Sequence, residues 1–176
     1  DINPLALFLS KVKTTPVDVS ELQREINLLY GRIKDKYEQY LLQIDGVNDV
    51  MRYSYGLDLT AKDGWGANAP QYLEKYKSDN CLDIDIPQFK NIGYWFKPKV
   101  VLLLSIIKAE ISKIQNQDIR SFIFVAYSET IRFVSNRRNG EFKMFRMPAA
   151  KVELFEPDVI KEFTTILDRN VEKMNS

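Results

Sequence analysis

Histidine is absent from this sequence, and cysteine occurs once, as Cys81. Without imidazole there is no histidine general base, no histidine-activated nucleophile and no histidine metal ligand. A single thiol makes neither an internal disulfide nor a cysteine-based zinc site, which fits a reducing, cytoplasmic compartment. Long apolar runs are missing as well. The longest, Val100–Leu104, is far short of the ~18 residues that a membrane span needs, and no signal-peptide pattern follows Asp1. An excess of charge is also missing. Lys and Arg total 25 and Asp and Glu 24, a net charge of +1, so any surface for a polyanion must come from local clustering. What is present is the balance of a folded chain. The 176 residues are 45% hydrophobic and 28% charged, enough for one domain with a real core.

Helical periodicity dominates the ends of the chain. Asn3 and Pro4 suit the N-cap and first position of a helix, and Leu5, Phe8, Leu9 and Val12 then share one face, up to Pro16. Asp18, with Glu21 three residues on, opens a second helix. Leu22, Ile26, Leu29, Ile33, Tyr37, Leu41 and Ile44 carry its stripe to Gly46, long enough for an arm against another protein, with Gly31 its weak point. Between Asp45 and Phe96 the periodicity fades among glycines, prolines and aromatics. Short helices are expected there, one near Ala69–Tyr76. Pro98 begins a third long helix with Val101, Leu104, Ile107, Ile111 and Ile114 inward. Asp118 is the expected cap of a fourth, with Phe122, Val125, Ala126 and Phe133 inward. Asn136–Gly140 reads as a polar turn, and EFKMFRM and AKVELF as extended pieces in a hairpin around Pro148 and Ala149. Pro157 opens a last helix carrying Val159, Ile160, Phe163, Ile166, Leu167 and Val171. The expected fold is mainly α, with long amphipathic helices and one small β-hairpin.

Three groups of residues could carry function. Arg132, Arg137, Arg138, Lys143 and Arg146 fall within one short stretch opposed only by Glu141, with Ser135, Asn136 and Asn139 as neutral donors and acceptors. Such clustering is what DNA binding requires of a chain of near-zero net charge. Arginine grips phosphate or guanine edges, and asparagine adenine edges, with paired hydrogen bonds. The competing reading is a solvated helix end whose arginines complement the helix dipole. The second group is the aromatics from Tyr53 to Trp95, read as packing. Trp65, between Gly64 and Gly66, is the one expected to be exposed. The third is the carboxylates. Alternation in CLDIDIP puts Asp83 and Asp85 on one face and Leu82, Ile84 and Ile86 on the other, a polar strand face rather than a metal site. Glu141-Phe142-Lys143 has a nuclease-like spacing but lacks an upstream metal-binding aspartate, because Asp118 reads as a helix cap.

The opening DINPLALFLSKVKTTPVD resembles a conserved segment of S-adenosylmethionine-dependent DNA methyltransferases that act on exocyclic amino groups of adenine or cytosine. FVAYSETIRFVSNRRNGEFKMFRM, followed by FEPDVIKEF, is similar to the interval these enzymes carry between their cofactor and catalytic motifs. The resemblance implies that Asp1 is the strand-end carboxylate that accepts hydrogen bonds from the cofactor ribose. Asp1 and Asn3 are therefore the cofactor-binding candidates. It also implies a glycine-rich loop before Asp1 and a Pro-Pro-Tyr-type catalytic motif after the last helix, and the chain contains neither. The chain then reads as a piece cut from a restriction–modification methyltransferase. Residues 1–15 would be a remnant of the cofactor domain, and 16–176 a helical insert that recognises or clamps double-stranded DNA beside the remainder of the enzyme. It would bind rather than catalyse, with no tight cofactor binding of its own. The alternative is a noncatalytic helical protein-interaction module.

Overall fold

The computed structural model describes residues 3–66, 68–138 and 143–174, with the side chain of Leu5 left out. Among these, nine α-helices account for most of the chain and no strand forms, so the fold is mainly α. Asp18 caps α2 (Val19–Gln39) by accepting the Glu21 N–H at 2.7 Å. The stripe Leu22, Ile26, Leu29 and Ile33 is fully buried. The helix runs unbroken through Gly31, and the break comes at Tyr40, whose φ of −118° and ψ of 21° interrupt the ladder. α3 (Leu41–Asp49) restarts with its phase shifted. Tyr40 and Val47 therefore face inward beside Ile44, which is buried as expected, and Leu41, an expected member of the stripe, faces outward. α3 runs on into a π-helical turn at Val50–Ser54.

The organising element is α6 (Pro98–Ser112), apolar on nearly every side and buried from Val100 to Ile107. A helix of that pattern belongs at the centre, and α2, α3, α7 (Gln117–Val134) and α9 (Val159–Met174) pack around it. Pro98 sits in its first turn, and the Asn48 side chain, from α3, accepts the Lys99 N–H at 3.1 Å. The buried Glu110 carboxylate is held by Lys113 Nζ at 2.6 Å and Arg32 Nε at 3.3 Å. α2 is thus built into the core by its apolar stripe and is no free arm. α1 (Pro4–Thr14) lies against α7 with Phe8, Leu9 and Val12 only half-buried.

Asn116, not Asp118, caps α7, accepting the Asp118 and Ile119 N–H groups at 3.0 and 3.2 Å. Its fully buried face is Ile119, Ile123, Ala126, Tyr127, Thr130 and Val134. Of the expected inner positions, Phe122, Val125 and Phe133 are half-buried. α9 buries Val159, Phe163, Ile166, Leu167 and Val171 as expected, most of them against α7 and α6.

The segment of faded periodicity contains α4 (Ala69–Asp79) and the short α5 (Ile92–Trp95). Trp65 reverses its expectation. It is 2% exposed and donates its indole N–H to the Phe96 carbonyl at 2.7 Å. Its flanking Gly64, at φ +78°, is a contact requirement rather than a sign of exposure. A Cβ there would lie 2.3 Å from the Gly93 oxygen. Leu82, Ile84 and Ile86 are buried while Asp83 and Asp85 face outward, so the alternation holds along an extended segment that pairs with no strand. The hairpin expected around Pro148 and Ala149 is absent, because Ala149–Leu154 forms the helix α8. The extended pairing lies earlier, as an isolated antiparallel bridge between Arg137 and Arg146.

Candidate nucleic-acid interface

α7 ends at Val134, and Ser135, with φ −80° and ψ 156°, turns the chain into an extended path. Its hydroxyl donates to the Arg132 carbonyl at 2.9 Å. Asn136 then stitches the chain to α5. Its N–H donates to the Trp95 carbonyl at 2.7 Å, its side-chain amide to the Tyr94 carbonyl at 3.4 Å, and its own carbonyl accepts the Met147 N–H at 2.7 Å. Ser135 and Asn136 are 6% and 1% exposed, so these two candidates offer no donors at the surface; they fix the base of the basic segment.

The returning limb is fixed in the same way. The Arg138 N–H donates to the Phe145 carbonyl at 2.8 Å, which together with the Asn136–Met147 bond frames the bridge between Arg137 and Arg146. The Arg146 guanidinium turns inward. Its Nε donates to the Tyr94 carbonyl at 2.8 Å and its Nη1 to the Ala61 carbonyl at 2.6 Å. Longer contacts reach Thr60 at 3.3 Å and Leu59 at 3.4 Å, and the group lies 5.2 Å from the Tyr94 ring centre. Burial pulls its pKa below the ordinary arginine value. Four carbonyl contacts commit most of the five guanidinium donors to the fold. Arg137, directly opposite, is half-buried.

The remaining candidates stand outward. Arg132, in the last turn of α7, is exposed beside the Phe133 ring, and Arg138 and Lys143 are exposed on the two limbs. Two apolar residues share this surface without any expectation having marked them. Met144 is 64% exposed and Phe145 49%. The signal for them was present in Lys143-Met144-Phe145-Arg146, an apolar pair set between cations. Asn139, Glu141 and Asp1 lie outside the described residues. Asn3 is exposed at the start of α1, its carbonyl accepting the Leu7 N–H at 3.1 Å.

Among the described residues no group of three or more acidic or thiol side chains lies together, and Asp83 pairs with Lys36 at 3.4 Å. Among the described residues, too, no helix is long and apolar enough to cross a membrane.

No protein-family model matches the chain, and no solved structure matches it. Over 170 residues, 97% of its length, it is 35% identical to the Type II methyltransferase M.MvaI of Kocuria varians, and it spans 30% of that protein. The chain is therefore a homologue of one segment of a Type II methyltransferase, the class of enzyme that its opening residues and its basic stretch resemble.

Proposed function

We propose that this chain is the DNA-recognition region of a site-specific DNA methyltransferase of a restriction–modification system, and that Arg132, Arg138 and Lys143 contact the phosphates of double-stranded DNA. The observation that carries this reading is the similarity along nearly the whole chain to under a third of a Type II methyltransferase. The exposed cations on a loop fixed at both limbs support it, since phosphate contacts orient a protein on the duplex. In the intact enzyme the methyl group of S-adenosylmethionine passes to an amino nitrogen of adenine or cytosine, on a base turned out of the stack.

Asn3 is exposed at a helix start, and the carboxylate of Asp1 lies outside the described residues. The one cofactor contact proposed for this chain is from Asp1 to the ribose, with Asn3 beside it, and the rest of the cofactor site and the transfer itself are assigned to the remainder of the enzyme.

The test is the salt dependence of binding to a labelled duplex. Each lost phosphate contact flattens the plot of log K against log salt by about 0.9, so replacing Arg132, Arg138 and Lys143 by Ala together reduces the slope by about 2.7. Lys34→Ala, on the exposed face of α2, leaves the slope unchanged. An unaltered slope in the triple variant, or no binding by the wild-type chain, overturns the proposal.

A further inference from the structure

We propose that Lys62 and Asp63, at the tip of a β-turn tied to the basic segment by Arg146, read a G·C base pair in the major groove; this rests on the DNA-binding reading above. The Gly64 N–H donates to the Ala61 carbonyl at 2.9 Å, which closes a turn with Lys62 and Asp63 at its two corners. Both side chains are exposed, and among the described residues neither makes a hydrogen bond or an ion pair. The backbone of the turn, by contrast, is fixed from three sides. Just before it, Asp58 accepts the Thr60 N–H and hydroxyl at 2.8 and 2.7 Å. Just after it, Gly64 packs against the backbone at Gly93, and the Trp65 indole is bonded to the Phe96 carbonyl at 2.7 Å. From the side, the Arg146 guanidinium donates to the Ala61 carbonyl at 2.6 Å.

That last bond brings the turn to the cations assigned to phosphate. Lys143 is three residues from Arg146, at most about 11 Å along the chain, on the scale of a major groove ~12 Å wide. Beside phosphates a carboxylate is repelled, so Asp63 fits such an interface only where it meets a donor. Base edges in the major groove carry donors only on amino groups, cytosine N4 and adenine N6. Adenine N6 lies next to the N7 acceptor of the same base, which repels the second carboxylate oxygen; cytosine has no acceptor on that edge. The guanine paired with it presents O6 and N7, acceptors that take an ammonium. A cation and an anion side by side are thus the complement of a G·C edge. Asp63 acts on the charge of Arg146 without bonding to it, so its oxygens keep their acceptor capacity. Phosphate contacts set the register of a protein on the duplex, and a turn fixed in this way holds that register at the bases.

The chain is bound to a pool of duplexes with a randomised core, and the bound fraction is sequenced. Wild type is expected to favour a G·C pair at one position of its preferred site. Asp63→Ala and Lys62→Ala are each expected to lower that preference about tenfold, the order of one lost base contact, and to leave the other positions as they are. Asp63→Asn is expected to move the same position towards A·T, because an amide accepts from adenine N6 and donates to N7. Lys143→Ala, a phosphate contact in the reading above, weakens binding to all sequences alike. Neither Lys62 nor Asp63 bonds to the fold, so the urea midpoints of their Ala variants should match that of wild type, which separates lost reading from lost folding. Preferences in Asp63→Ala and Lys62→Ala identical to those of wild type, or a wild-type chain that binds every sequence equally, overturn the base-reading turn and leave the phosphate contacts standing. Failure of the wild-type chain to bind duplex DNA overturns both.

Discussion

Replacing Arg146 by Ala tests whether this arginine belongs to the fold or to the ligand surface. In the structure its guanidinium donates short bonds to the carbonyls of Tyr94 and Ala61, at 2.8 and 2.6 Å, and longer ones to Thr60 and Leu59. A hydrogen bond from a charged donor contributes a net ~1.5–3 kcal/mol. Two short bonds at the lower end of that range give about 3 kcal/mol, and the two long contacts add little because the side chain is only half-buried. With a urea m value of roughly 2 kcal/mol/M, the unfolding midpoint should fall by about 1.5 M at constant m. Arg146→Lys should recover less than half of this, since an ammonium lacks the planar fork that reaches carbonyls on two segments. Arg138→Ala, removing an exposed guanidinium, should stay within about 0.5 kcal/mol of wild type. Equilibrium urea unfolding followed by fluorescence reads all three. An Arg146→Ala midpoint indistinguishable from that of Arg138→Ala would refute the division of the basic stretch into an anchoring arginine and outward-facing cations.

Two further predictions concern the body of the protein. Trp65→Phe removes the indole N–H from the buried Phe96 carbonyl and should cost about 1–2 kcal/mol in the same urea experiment; a neutral substitution would mean that the carbonyl finds another donor. Asp45 bears on acid stability. The Lys99 ammonium hydrogen-bonded to it at 2.7 Å holds its carboxyl below the usual carboxylate range, and the Tyr37 hydroxyl adds to this. A carboxyl depressed in the folded state stabilises the fold fully above its unfolded pKa, about 3.9. That contribution is lost as pH falls from there through the lower folded value. The stability gap between wild type and Asp45→Asn should therefore be constant near neutrality and close progressively below about pH 4; a gap that persists into strong acid would contradict this.

The helices were legible where one residue type has one local meaning. Asp18 as a cap, Pro98 as a helix start and the stripe from Val159 to Val171 follow from spacing and from the chemistry of helix ends, and they form as expected. The departures share a cause, contacts far apart in sequence. Tyr40 has no helix-breaking chemistry of its own. It stands at a break where its hydroxyl accepts the Asp83 N–H at 3.0 Å and Lys36 lies over its ring. The glycines beside Trp65 suggested an exposed turn, whereas Gly64 is needed because the backbone at Gly93 passes against it. Asn116 and Asp118 are both good caps, and only the path of the backbone decides which side chain meets the free N–H groups. The basic stretch shows the same limit. Arg138 and Arg146 are chemically identical in the sequence, and the carbonyls that separate their roles come from residues 59–61 and 94.

That separation gives the arginines of one segment different roles, Arg146 fixing a limb to the body while Arg132 and Arg138 are exposed. Arg137 and Arg146 stand directly opposite each other, an arrangement of like charges that destabilises a bare two-stranded pairing. The pairing holds because the charge of Arg146 is drawn away from Arg137 and solvated by backbone dipoles of the body, two of its four carbonyl contacts short. The carbonyls of Tyr94 and Trp95, at the end of the short α5, gain donors from Arg146 and Asn136 that the helix cannot supply. The loop and the α5 region thus satisfy each other's polar groups, and neither needs an apolar core of its own. The consequence is a division of labour within a few residues. Substitutions at Ser135, Asn136 and Arg146 should act through stability, while those at Arg132, Arg138 and Lys143 should act on DNA with stability little changed. Double-mutant cycles make the distinction measurable. If Arg146 contributed to DNA affinity only by fixing the limb that carries Lys143, combining Arg146→Ala with Lys143→Ala would weaken binding no more than the larger single effect; additive losses would show that Arg146 reaches the DNA itself.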